Sequence, residues 1–134
     1  ARSLAIEVGP VPQGVLDYRV LALTAELAAH ALDFVHLANL GQTPALPAAI
    51  EVFQATGMLM FPMLDGCLNG MLHESLLGRD YAPLAPGAPL FRTLAGEVIC
   101  YDGTEVVYPA FINEAAYYYK GQALTLTTKR TLML

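Results

Sequence analysis

The sequence has no tryptophan and little charge: 14% of its 134 residues are Asp, Glu, Lys or Arg, against about 25% in an average soluble domain. With 55% of residues hydrophobic, so few charges cannot comfortably cover an isolated domain. The chain also starts at Ala1 rather than at a methionine, and it is expected to be part of something larger. Basic residues are scarce as well. Seven Lys and Arg against twelve Asp and Glu provide no electrostatic footprint for nucleic acid. Two cysteines, Cys67 and Cys100, are too few for a disulfide scaffold and read as buried thiols of a cytoplasmic protein. Long apolar runs are missing too. The longest, Met58 to Leu64, falls well short of the roughly 20 residues a bilayer-spanning helix needs, and Glu26, His30, Asp33 and His36 break the stretch after Asp17, so no membrane partner is expected. The start Ala1-Arg2-Ser3 followed by a short strand does not make a secretory leader. Disorder is excluded by the aliphatic and aromatic content.

What is present divides into two kinds of pattern. Residues Ser3 to Val8 alternate, with Leu4, Ile6 and Val8 on one face, as a strand does. Two prolines and two glycines in the stretch from Gly9 to Gly14 end it. From Asp17 to Asn39 the period becomes helical: Leu21, Ala25, Ala28, Leu32 and Val35 recur at steps of three and four. Asp17 is the expected N-cap, and Gly41 with Pro44 and Pro47 the stop. Beyond that, short strand candidates follow one another: Ile50–Ala55, Met58–Leu64, Cys67–Leu72, Leu90–Leu94, Val98–Tyr101, Glu105–Ala110 and Leu124–Leu134. Turn signals at Asp65-Gly66, Pro86-Gly87, Ala95-Gly96 and Asp102-Gly103 separate several of them. Asn113 to Lys120 reads as a loop or a helical turn. The expected fold class is therefore α+β. A strand–loop–helix unit over residues 1–47 resembles the end of an α/β domain, and a small antiparallel barrel or sandwich occupies 48–134.

Three places could carry chemistry. Glu7 sits near the end of the first strand. In open α/β sheets ligands gather outside the carboxyl ends of strands, where a carboxylate can serve as a general base. The same position also suits an edge-strand glutamate facing water. The run Asn113-Glu114-Ala115-Ala116-Tyr117-Tyr118-Tyr119-Lys120 cannot bury all three tyrosines, so at least one hydroxyl must meet water, a polar partner or a ligand. Aromatic packing at a domain junction would explain it equally well. His30, Asp33 and His36 look superficially like metal ligands. A six-residue helical separation, however, turns the two imidazoles about 120° apart. His73-Glu74 lacks the second histidine of a zinc-peptidase helix, and His73 reads as a hydrogen-bonded strand residue. The chain contains no complete catalytic machine.

At these motifs the sequence resembles the aspartoacylase and type-III aminoacylase family. Ile6-Glu7-Val8-Gly9-Pro10-Val11-Pro12-Gln13-Gly14-Val15-Leu16 is similar to that family's I-E-V-G-P-x-P-Q-G-V-L segment. His30-Ala31-Leu32-Asp33-Phe34-Val35-His36 resembles its H-A-L-D-F-I-H, and Ala49-Ile50-Glu51-Val52-Phe53 its A-I-E-V-Y. The stretch from Asp80 to Phe91 resembles D-x-x-P-L-x-P-G-x-P-x-F, and Tyr108 to Tyr118 resembles Y-P-x-F-x-N-E-A-A-Y-Y. Five matches stand in the family's order over nearly the whole chain.

The resemblance implies a zinc-dependent amidohydrolase that deacylates N-acyl amino acids, with a carboxypeptidase-like α/β domain followed by a β-rich domain. In such enzymes two histidines and a glutamate hold the zinc, and the resemblance gives them no counterpart in this chain. Glu7 matches the family's general base and acid, and Tyr117 the tyrosine that hydrogen-bonds substrate. Arg2 resembles a substrate-carboxylate arginine, though five residues separate it from Glu7 where the family spacing is longer. Gly121 stands where aspartoacylase has a substrate-binding lysine and the type-III aminoacylase has glycine. Glu74 replaces the family's usual proline. The implied partners are an N-acyl amino acid and the zinc-bearing portion of the same enzyme, with a homo-oligomer open and the chain inactive by itself. A non-catalytic binding or assembly module is the alternative.

Overall fold

The computed structural model describes residues 5–9, 11–12 and 14–134. The chain divides into two compact units, Ala1–Leu46 and Pro47–Leu134.

The first unit is dominated by one helix, α1, from Tyr18 to Asn39. Asp17 caps its start. The Asp17 carboxylate accepts from the backbone N–H of Arg19 at 2.9 Å and pairs with the Arg19 guanidinium at 2.7 Å. These contacts, the guanidinium first, hold the Asp17 carboxyl below its ordinary range. The far end closes on a glycine in the left-handed region, Gly41, at φ 70°. There the Gln42 N–H donates to Leu37 O and the Gly41 N–H to Ala38 O, the paired bonds of a Schellman stop.

Apolar residues line α1 in two stripes, one through Leu21, Ala28 and Leu32 and another, about 140° around the axis, through Leu23, Leu27 and Phe34. None of the helix is buried. By length and composition it is long and apolar enough to cross a membrane, a test that core helices of soluble proteins also meet. Glu26, His30, Asp33 and His36, expected to break this stretch, are spread thinly enough over 22 residues to leave it apolar on average. Those interruptions therefore do not by themselves exclude α1 on length and composition. The strand expected over Ser3–Val8 is not seen either: residues 5–9 form no strand, and Ser3 and Leu4 lie outside the described residues. A strand exists only through a partner that takes its backbone groups, and among the described residues these pair with none.

The second unit holds seven strands, all paired antiparallel. The long ones are β1, Ala49–Met60, and β7, Gln122–Met133, which run together from Ala49 opposite Met133 to Met60 opposite Gln122. Two expected strands, Ile50–Ala55 and the start of Met58–Leu64, are thus one strand with a register shift at Ala55/Gly57. Next come β2, Met63–Leu64, and β3, Cys67–Leu68. Asp65 (φ 50°) and Gly66 (φ 78°) join them, the two positive φ values that a tight hairpin turn demands. The remaining strands β4, Gly70–Leu72, β5, Pro89–Thr93, and β6, Val98–Cys100, make a three-stranded sheet in that order. Gly70 is required there: a Cβ would sit 2.8 Å from both the Arg92 carbonyl oxygen and Pro62 Cγ. The expected strand Glu105–Ala110 reduces to single bridges, Val107 to Leu84 and Ala110 to Thr125. Pro109 between them has no N–H to extend a ladder.

The core gathers Phe61, Leu72, Leu84, Leu90, Phe91, Tyr101, Val107, Ala123 and Leu124. Cys67 and Cys100 are not in it. Both are exposed, Cys67 just past the hairpin turn and Cys100 at the end of an edge strand, where one side of the chain stays open to water. Nor is His73 in a strand. It caps a one-turn 3₁₀ helix, Glu74–Leu76, with Nδ1 2.8 Å from Ser75 Oγ. Glu74 accepts from Arg92 through both carboxylate oxygens, at 2.7 and 3.3 Å. The Arg92 guanidinium pulls the Glu74 carboxyl down to about 2.

Two outcomes follow. Leu124 is fully buried, so Leu124→Ala should cost about 2–5 kcal/mol in urea denaturation of the chain. Because the Glu74 pKa is depressed on folding, its pair with Arg92 favours the fold above the unfolded carboxyl value and is lost as pH falls toward about 2. Arg92→Gln should return the Glu74 carboxyl toward 4.5 in an NMR titration.

Candidate active-site segment

The segment from Phe111 to Gly121 is shaped by backbone conformations that side chains rarely adopt. Phe111 and Asn113 have φ values of 54° and 60°. Asparagine tolerates this region, while for a phenylalanine it costs energy that surrounding contacts must offset. Asp80 Oδ1 accepts from the Ile112 N–H at 3.2 Å, and the Asn113 N–H donates to Ala123 O on β7 at 3.0 Å. A 3₁₀ helix then runs Ala115–Lys120, resolving the choice between a loop and a helical turn. Glu114 caps its start by accepting from the Ala116 N–H at 3.3 Å. Gly121 ends it at φ 70°, its N–H donating to Tyr118 O.

The helix sends the three tyrosines in different directions. Tyr117 is half-buried, edge-on to Phe111 at 5.9 Å. It lines an open cavity of about 320 Å³ with Ala55, Gly57, Met58, Gln122 and Thr125. Tyr118 turns the other way, edge-on to Phe61 at 5.7 Å, and its hydroxyl donates to Asn113 Oδ1 at 2.8 Å. Tyr119 is exposed. Lys120 holds its ammonium 5.2 Å from the Tyr119 ring centre and 5.9 Å from that of Tyr117.

Tyr118, Asn113 and Gly121 line a larger cavity, about 490 Å³, together with Phe61, Met63, Leu68, Met71, Leu72 and Leu77. Sequence reasoning did not anticipate it. Its signal was Met58–Leu64, too apolar on both faces for a strand with one side in water, which was read only as a strand. Of the other expected site residues, Glu7 lies exposed in the first unit, apart in sequence from the tyrosines, and Arg2 lies outside the described residues. Among the described residues no three His, Cys, Asp or Glu side chains are grouped to hold a metal ion. The side chains seen here therefore do not fit a zinc site.

Residues 48–129, more than half of the chain, match the AstE/AspA barrel-sandwich hybrid domain. The chain belongs to the AstE/AspA family. Its α+β build with small antiparallel sheets agrees with that assignment. Relatives of this AstE/AspA chain include a protein described as a probable aspartoacylase from Acaryochloris marina, 44% identical over 98% of this chain and 45% of its own length. Aspartoacylase of Xenopus tropicalis is 45% identical over 96% of this chain and 41% of that protein. The human N-acyl-aromatic-L-amino acid amidohydrolase (carboxylate-forming) is also 45% identical, over 96% and 40%. The crystal structure of murine aminoacylase 3 superposes with a TM-score of 0.85 at 41% identity, covering 92% of this chain and 41% of that one. The chain thus spans less than half the length of these relatives.

Gly121 takes on a second meaning in this setting. Its backbone needs the left-handed region whatever the substrate, and a Cβ there would meet only Met60 Cε at 3.5 Å. A lysine at this point would fit the space and strain the backbone. Gly121→Ala should lower stability by about 1–2 kcal/mol, read as a drop in thermal midpoint, with the fold retained.

Proposed function

We propose that this chain is the C-terminal portion of a zinc-dependent, carboxypeptidase-like amidohydrolase that deacylates N-acyl amino acids. One observation carries the reading: 45% identity to both an aspartoacylase and an N-acyl-aromatic-amino-acid amidohydrolase over 96% of the chain. In this reading Glu7 is the general base. Its carboxylate takes a proton from water as the oxygen attacks the acyl carbon. It returns that proton to the nitrogen as the carbon–nitrogen bond breaks, so a carboxylic acid and a free amino acid leave. Tyr117 hydrogen-bonds the substrate from the β unit, and Arg2 pairs with its carboxylate. Zinc belongs to the part of the protein beyond this chain, and the steps assigned to Glu7, Tyr117 and Arg2 are proton transfer and binding alone. The two exposed free thiols agree with a cytoplasmic place.

A specific observation favours Tyr118 as a second candidate for the substrate contact. Its hydroxyl is held on Asn113 and it lines the larger cavity, whereas Tyr117 lines the more open one. In the full-length protein, Glu7→Gln should lower kcat for N-acetyl amino acids by about 100-fold or more while bound zinc stays unchanged by metal analysis. Activity that survives Glu7→Gln removes Glu7 as the base. Tyr117→Phe and Tyr118→Phe, compared by KM, identify the tyrosine that touches substrate.

A further inference from the structure

The cavity beside Tyr117 contains a second buried polar side chain. Gln122, the first residue of β7, is only 6% exposed and lines that space of about 320 Å³ together with Tyr117 and Thr125. One Nε2–H of Gln122 donates to Thr125 Oγ1 at 3.0 Å, which orients the amide. Its carbonyl oxygen, Oε1, accepts no hydrogen bond from the described residues. Among those residues only Thr128 Oγ1 is both unpartnered and fully enclosed, so Gln122 Oε1 stays within reach of an incoming group. An amide carbonyl without a donor in so buried a residue is costly. No charged side chain lines the cavity, and of its side-chain oxygens only Oε1 accepts without being able to donate. The group that suits it is an uncharged donor.

We infer that Gln122 Oε1 accepts the N–H of the amide bond that is cut. The inference deepens the N-acyl amino acid reading above and rests on it, with Tyr117 as the substrate contact. Whatever its side chain, such a substrate carries a carbonyl, a carboxylate and one amide N–H. The first two accept at neutral pH, and the N–H alone donates. Tyr117 and Arg2 serve the accepting groups, which leaves the N–H for Gln122. The contact also strengthens during the reaction. As the carbon–nitrogen bond breaks and the nitrogen takes a proton from Glu7, its N–H becomes a better donor, so the bond stabilises the transition state more than the bound substrate. An ester has an oxygen at this point and gains nothing from Oε1.

The test compares amide with ester in the full-length protein, using two matched pairs. These are N-acetyl-L-phenylalanine with O-acetyl-L-phenyllactate, and N-acetyl-L-aspartate with O-acetyl-L-malate. Gln122→Met keeps the side-chain volume and removes the acceptor, while Gln122→Asn draws the acceptor back by one methylene. Each should lower the amide-to-ester ratio of kcat/KM about tenfold or more, with the ester rate held. Gln122→Glu, which keeps accepting oxygens at the same reach, should keep most of the ratio. Thermal unfolding checks that each variant folds, and the use of two shortening or removing variants frees the outcome from the folding of one. A ratio unmoved by Gln122→Met and Gln122→Asn assigns Oε1 to water, and an equal fall in all three variants assigns Gln122 to structure alone. Either result overturns the contact and leaves the deacylase reading standing. Hydrolysis of neither amide by the unaltered protein overturns both.

Discussion

The pairing of β1 with β7 is the constraint on which the second unit depends. It joins the first residues of the unit to its last, from Ala49 opposite Met133 to Met60 opposite Gln122. Closing so long a loop costs chain entropy before any contact rewards it. The reward comes where the pair enters the core, at Phe61, Ala123 and Leu124. The candidate site hangs from the same junction. The Phe61 N–H donates to Gly121 O, and the Asn113 N–H to Ala123 O, so both ends of the tyrosine segment are tied to backbone that the ribbon has already fixed. That rigidity lets Phe111 and Asn113 persist in the left-handed region.

The same junction separates two neighbouring tyrosines into different surroundings. One residue apart on a tight helix, Tyr117 and Tyr118 point away from each other, since successive residues of a 3₁₀ helix turn by about 120°. One ring packs on Phe111 and the other on Phe61. A site built on such a segment has two faces, and the hydrogen bond from Tyr118 to Asn113 makes one of them the more ordered. The hairpin β2–β3 and strand β4 then wall that face with aliphatic and thioether groups. Shortage of charge, the first oddity of the sequence, is here a property of a cavity wall as much as of a covered surface.

Much of the β unit was legible beforehand. The Asp65-Gly66 turn, the cap at Asp17 and the stop at Gly41 are local effects, each decided by one or two residues whose backbone preferences are strong. The errors share a different cause. Ile50–Ala55 and Met58–Leu64 were separated because period alone does not show that a bulge at Ala55/Gly57 can carry one strand past an irregularity. Cys67 and Cys100 were placed inside on composition, yet each lies at a turn or edge where the partner strand ends. Residues 5–9 alternate like a strand and form none, because pairing is a property of two segments and not of one.

By itself, then, the sequence determined the helix with its caps, the positions of most strands, and the family, since motif order survives without coordinates. Tertiary structure alone decided which strands pair and which tyrosine faces which cavity. Those outcomes depend on backbone hydrogen bonds between segments distant in the chain, and no local pattern of side chains encodes the partner on the other side.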